Sequence, residues 1–216
     1  MITLKVSNIR HLTDARYFSA RGASVMGFRL DPNANDFIRP EVVSAIIEWV
    51  DGVEFAGEFQ HTEVDEMVNL GKSLKLDYLQ IPHFFEKEKI AELTDFKLIR
   101  QIVWQTNTCV DEVRELIKDQ AHLMAAFELN FSAAGLNPLA SEGVDWEDLN
   151  DLLQLHHIFI NAPFSLDTIA NLKKLDPLPG LTFSGSDEEK TGFKSFENID
   201  LILDYLEEEG LFDPFF

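Results

Sequence analysis

The feature that most constrains this chain is an unbroken alternation. Short apolar, β-branched or aromatic runs recur, and each is followed by a segment with helical periodicity. The spacing predicts strands over 2–6, 25–30, 53–59, 77–81, 97–103, 122–128, 157–161 and 180–184. It predicts helices near 12–22, 40–50, 63–75, 86–93, 110–119, 146–154, 165–174 and 196–209. Thr13 and Asp14 are expected to cap the first helix, Pro40 suits the first turn of the second, and Ser165 with Asp167 suits the start of the seventh. Strands that alternate with helices pair in parallel through right-handed crossovers. Eight such units in 216 residues predict a single-domain TIM (β/α)8 barrel, α/β in class. The rival, an open flavodoxin-like or Rossmann sheet, lacks a GxGxxG motif after its first strand. The aromatic tail GLFDPFF, 210–216, is expected to pack on the chain's own outer helices, with a homodimer as its other use; the protein is then a monomer or a homodimer.

Charge narrows the partners. With 38 acidic against 18 basic residues the chain carries a formal −20, which argues against a nucleic-acid groove. There is no apolar run long enough to span a membrane and no basic start followed by an apolar core, so no membrane partner is expected and the location is expected to be cytoplasmic. The lone Cys109 has no internal disulfide partner and is expected to be buried or half-buried.

In a barrel of this kind, chemistry is placed at strand C-termini and the loops that follow. That rule selects Ser7, Asn8, Arg10, Arg29, Asp36, Gln80, Glu128, Asn130, Asn161, Ser184, Gly185 and Asp187, among other residues. The strongest local signal is FSGSDEEKTGFKS, 183–195, because the loops after strands seven and eight commonly hold phosphate on backbone amides. Ser184 and Gly185 would form half of such a cradle. Asp187, Glu188 and Glu189 oppose an anion unless they point away. His61 and His83, with Glu58 near, could share the barrel mouth, but EFQH and IPHF contain no close ligand pair, so no metal is expected. His156 and His157 precede a strand and belong to the opposite face.

The whole chain resembles the phosphoribosylanthranilate isomerase family of tryptophan biosynthesis. KVSNIRHLTDARYFSARGASVMGF resembles the family opening K-[IV]-C-G-[IL]-x-x-x-x-D-A with its following helix and strand. DPNANDFIRPE sits where the family has Y-P-x-S-P-R; LDYLQIPHF is similar to L-D-x-[VI]-Q-L-H-G, VDWEDL to F-D-W, and FSGSDEEKTGFKS to S-S-G-V-E. The resemblance implies an intramolecular Amadori isomerisation of N-(5′-phosphoribosyl)anthranilate, needing no cofactor. It implies Ser7 and Glu128 at the catalytic positions. Arg10, Gln80, Asn161, Ala162, Ser184 and Gly185 would contact the phosphorylated substrate.

The departures bear on activity. Ser7 stands where the family has its cysteine base, and Asn8 where it has a glycine. A hydroxyl is a far poorer base than a thiol that ionises near pH 8.5. The family's aspartate acid falls on either Glu128 or Asn130, of which only the first can donate a proton. The arginine of the second βα loop falls on Asp36, the histidine of Q-L-H-G on Pro82, and the glycine pair after strand seven on Ala162 and Pro163. These changes imply a diverged barrel with at most a phosphorylated small-molecule pocket and the isomerisation lost or strongly reduced. The alternatives are an active isomerase using Ser7 and Glu128, or a different reaction on the same barrel.

Overall fold

A computed structural model describes residues 1–185 and 196–214. Eight parallel strands close into one barrel in sequence order: β1 (Leu4–Ser7), β2 (Val25–Arg29), β3 (Glu54–Glu58), β4 (Tyr78–Pro82), β5 (Lys97–Val103), β6 (Ala126–Asn130), β7 (Ile158–Asn161) and β8 (Gly180–Ser184). The pairing of β1 with β8, Leu4 against Leu181 through Ser7 against Ser184, shuts the ring. The helices on the outside are α1 (Leu12–Ala20), α2 (Pro40–Ile47), α3 (Val64–Leu74), α4 (Val110–Gln120), α5 (Trp146–Leu155), α6 (Leu166–Ile169) and α7 (Glu197–Glu208). A 3₁₀ helix, Lys87–Leu93, replaces the expected α-helix after β4, and α6 passes into another, Ala170–Lys174. This is the expected TIM (β/α)8 barrel.

Parity decides what enters the barrel. Successive strand residues face opposite sides, so Val25, Ala56, Ile99, Ala126 and Phe159, joined by Tyr78, form an apolar floor inside the ring. Their alternate neighbours on each strand face the helices and build the main core, with Met26, Phe28, Phe127, Leu129 and Ile160 almost wholly buried. One turn above the floor, the inward residues are polar.

Three local expectations change. Thr13 and Asp14 lie within the first turn of α1, whose N-cap is His11 without a side-chain cap. Pro40 and Ser165 hold their expected places, Ser165 donating its backbone N–H to Thr168 Oγ1 at 3.3 Å. The sixth strand is the consequential shift. A 3₁₀ turn, Ala121–Leu123, precedes it, so β6 ends at Asn130 rather than Glu128. Cys109 is exposed, at the N-cap of α4, and the expectation of burial is corrected. Of the tail, Phe212 is buried and Pro214 stands against the Gly22 backbone, where a Cβ would come within 2.4 Å of Pro214 Cα. No helix among the described residues is long and apolar enough to cross a membrane.

Candidate functional site

Lys5 occupies the axis of the barrel, fully buried. It shares the inward face of β1 with Ser7, two residues on. Its ammonium donates to Ser7 Oγ at 2.5 Å, to Glu58 Oε1 at 3.1 Å and to Glu128 Oε2 at 2.8 Å, so it joins β1 to β3 and β6. Glu128 is also sealed, accepting from Gln101 Nε2 (2.7 Å) and Thr182 Oγ1 (3.0 Å). Glu58 accepts the Asn8 backbone N–H at 3.2 Å. Gly27 makes room for Glu58: a Cβ there would lie 2.2 Å from Glu58 Oε1.

The charges in this network are fixed. Burial opposes the ammonium, but Glu128 and then Glu58 outweigh it and hold Lys5 above its ordinary value. Burial likewise opposes the Glu58 carboxylate, but Lys5, Arg29 and hydrogen bonds from Ser7 and Lys5 hold its carboxyl below the usual range. A protonated lysine cannot take a proton from Ser7, so the pair does not work as a serine–lysine base. The hydroxyl is engaged on both sides, accepting from Lys5 and hydrogen-bonding to Glu58.

The candidate residues divide by depth. Ser7, Gln80 and Glu128 lie buried in the polar layer, Ser7 and Glu128 on the same Lys5 ammonium. Asn130 and Asn161, paired in register, end their strands at the rim. Asn130 Oδ1 accepts from Ala133 N–H at 3.1 Å. Ala162 is buried, its carbonyl turned to the Phe164 N–H (2.9 Å). Ser184 is exposed at the end of β8; Gly185 donates its N–H to the Ser7 carbonyl at 3.0 Å. That bond commits the Gly185 N–H expected to meet a phosphate, and 186–195, with Asp187 and Lys194, lie outside the described residues. Arg10 is half-buried and engaged in an interaction of its own. Asn8 has φ 56, the left-handed region that glycine favours and asparagine tolerates, so it can hold the turn a glycine would make.

Arg29 sits at the rim of β2 with Asp31 (3.7 Å) and Asp36 (3.6 Å) around its guanidinium. Asp31 also accepts from the Gln60 N–H (2.7 Å), the His61 N–H (3.1 Å) and Thr62 Oγ1 (2.6 Å), which fixes the β3–α3 loop. A side cavity of about 270 Å³ opens there, lined by Asp31, Asn33, His61, Glu63 and Glu66 among others. His61 and His83 are exposed, both against the Phe84 ring. No group of three or more potential metal ligands occurs among the described residues. The sequence reading passed over Lys5, Gln101 and Thr182. The signal was parity: if Ser7 faces inward so does Lys5, and a lysine inside a barrel must meet carboxylates.

A family model for N-(5'phosphoribosyl)anthranilate (PRA) isomerase matches residues 4–205, nearly the whole barrel. The chain belongs to the PRA isomerase family. Among solved structures, the PRA isomerase of Thermus thermophilus is 20% identical, with a TM-score of 0.76, and the match covers 96% of this chain and 100% of that one. A PRA isomerase in complex with reduced 1-(o-carboxyphenylamino)-1-deoxyribulose 5-phosphate is 16% identical (TM-score 0.75; 96% and 100% covered). Mutationally generated monomers of the dimeric PRA isomerase of Thermotoga maritima are 16% identical (TM-score 0.73; 98% and 100% covered). Identities this low establish the PRA isomerase barrel and leave the chemistry to the residues. No curated protein sequence matches.

Proposed function

We propose that this chain is a cytoplasmic PRA isomerase-like barrel that binds a phosphorylated small molecule at its mouth and carries out the Amadori isomerisation strongly reduced or not at all. One observation carries the reading: Ser7 and Glu128, the side chains available for proton transfer, are both committed to Lys5. Glu128 is fully buried and hydrogen-bonded to Lys5, Gln101 and Thr182, and Asn130, the β6 residue at the rim, is an amide with no proton to give as an acid. The phosphorylated ligand of a related PRA isomerase supports the phosphate half of the reading. The same barrel explains how chemistry could be restored. A thiol at position 7 would stand beside the Lys5 ammonium, which favours the thiolate.

The test is an isomerase assay on N-(5′-phosphoribosyl)anthranilate with the wild type, Ser7→Cys, and Ser7→Cys combined with Asn130→Asp. Restoring base and acid should raise kcat/KM by about 10²-fold or more over the wild type. A wild type that turns over briskly, and that Ser7→Ala or Glu128→Gln silences, would overturn the proposal in favour of an active isomerase. The phosphate half is read separately, by calorimetric titration with inorganic phosphate. Saturable binding weakened by Ser184→Asp is expected, and no binding would remove it.

A further inference from the structure

The quadrant of the mouth between β1 and β4 holds more unpaired acceptors than donors. Arg29, Glu58 and Gln80 stand side by side in register on β2, β3 and β4 and face inward. Gln80 is 2% exposed, and its Oε1 is shut from solvent without a hydrogen-bond partner. Asn8, whose N–H is on Glu58, holds a second carbonyl oxygen, Oδ1, in the same condition. Buried polar atoms in folded proteins are paired, and two sealed acceptors flanking one carboxylate call for a donor from outside the chain. The cations here do not supply it. Arg29 is ion-paired with Asp31 and Asp36, its Nε buried without a hydrogen bond, and Lys5 is spent on Glu58, Glu128 and Ser7. These two cations face four carboxylates, Asp31, Asp36, Glu58 and Glu128.

We propose that this quadrant recognises an amino or ammonium group, so that the ligand end seated there is a hydrogen-bond-donating amine rather than a carboxylate. The inference rests on the mouth being a small-molecule pocket, as proposed above, and names the chemistry of one end of its ligand. A carboxylate would meet Asp36, Glu58 and two lone-pair acceptors, with both neighbouring cations already neutralised. An ammonium brings the donors that Gln80 Oε1 and Asn8 Oδ1 lack and reduces the excess negative charge.

The experiment compares 2-aminobenzylamine with anthranilate by calorimetry on the full chain at physiological salt. Both carry the same ring and ortho amine, and they differ in ammonium against carboxylate. The amine should bind at least about tenfold more tightly, and Gln80→Leu should weaken it by a similar factor. Asn8→Gly, which suits the left-handed backbone at that position, is the second variant and should do the same should Gln80→Leu fail to fold. Asp36→Arg should turn the preference toward anthranilate. Equal or tighter binding of anthranilate, no binding of either at about 10 mM, or an amine affinity untouched by both variants would overturn the inference. The last result would identify general attraction to an acidic surface. Saturable binding of inorganic phosphate alongside any of these outcomes would leave the pocket standing while this inference fell.

Discussion

Lys5 is an ion pair partner twice over, and removing it exposes what it does. Breaking a buried pair strands its partners, typically at about 3–5 kcal/mol. Lys5→Met should therefore lower the melting temperature by roughly 6–20 °C for a domain of this size, and adding Glu58→Gln and Glu128→Gln should recover part of the loss. The same network sets a pH window. The Glu58 carboxyl is held below its ordinary value of 4.5, so its contribution to stability is complete above that pH and is lost as the pH falls through the folded value. Lys5 is raised above 10.5, so its contribution is complete below that pH and fades as the pH climbs through its folded value. Urea unfolding of the wild type and Glu58→Gln should show a stability gap at neutral pH that narrows below 4.5. A gap that widens on acidification would contradict the charge assignment.

The element that differs most from the sequence reading is the passage from β6 into α5. Its loop is fastened to its surroundings rather than left to close over the mouth. Asn137, buried, donates to the Pro163 carbonyl (3.1 Å) and Thr168 Oγ1 (3.0 Å), accepts from the Leu139 N–H (3.0 Å), and takes the Glu142 carboxylate on its own N–H (2.8 Å). Trp104, stacked on Phe131 at 4.9 Å, donates to the Gly143 carbonyl. Asn137→Ala should speed amide exchange across 131–145 by about tenfold or more while leaving β4 and β5 protected; uniform exchange would mean the loop is held by other contacts. The strand and helix order was legible because alternation and parity are local properties of a sequence. The end of β6 was not. The run Leu123–Phe127 is apolar throughout, and a 3₁₀ turn at Ala121–Leu123 moves the strand start without altering that composition. That shift set which of Glu128 and Asn130 reaches the rim, so the depth of these two residues was not legible in the sequence. Arg100 was equally hidden. It faces the helices, is 1% exposed with no carboxylate partner among the described residues, donates to the His83 and Phe85 carbonyls and to Gln120, and is pushed down to about 10 by burial.

At the scale of the whole molecule, the ring has no free edge, and its ends are tied across the seam by α1 and α7. Tyr17 stacks on Phe196 at 4.0 Å and donates to Asp200 (2.6 Å), while Arg21 meets Asp200, Asp204 and Glu207. The strong excess of acid shows itself here as single cations shared among several carboxylates. Lys5 does inside the barrel what these residues do outside it. Mechanically it is a hub: strands a quarter and more of the circumference apart hang on one nitrogen, so one side of the wheel cannot flex outward without slackening the spokes to the other. A (β/α)8 ring assembled from separable halves would have no use for such a hub, whereas this one is built to come apart all at once.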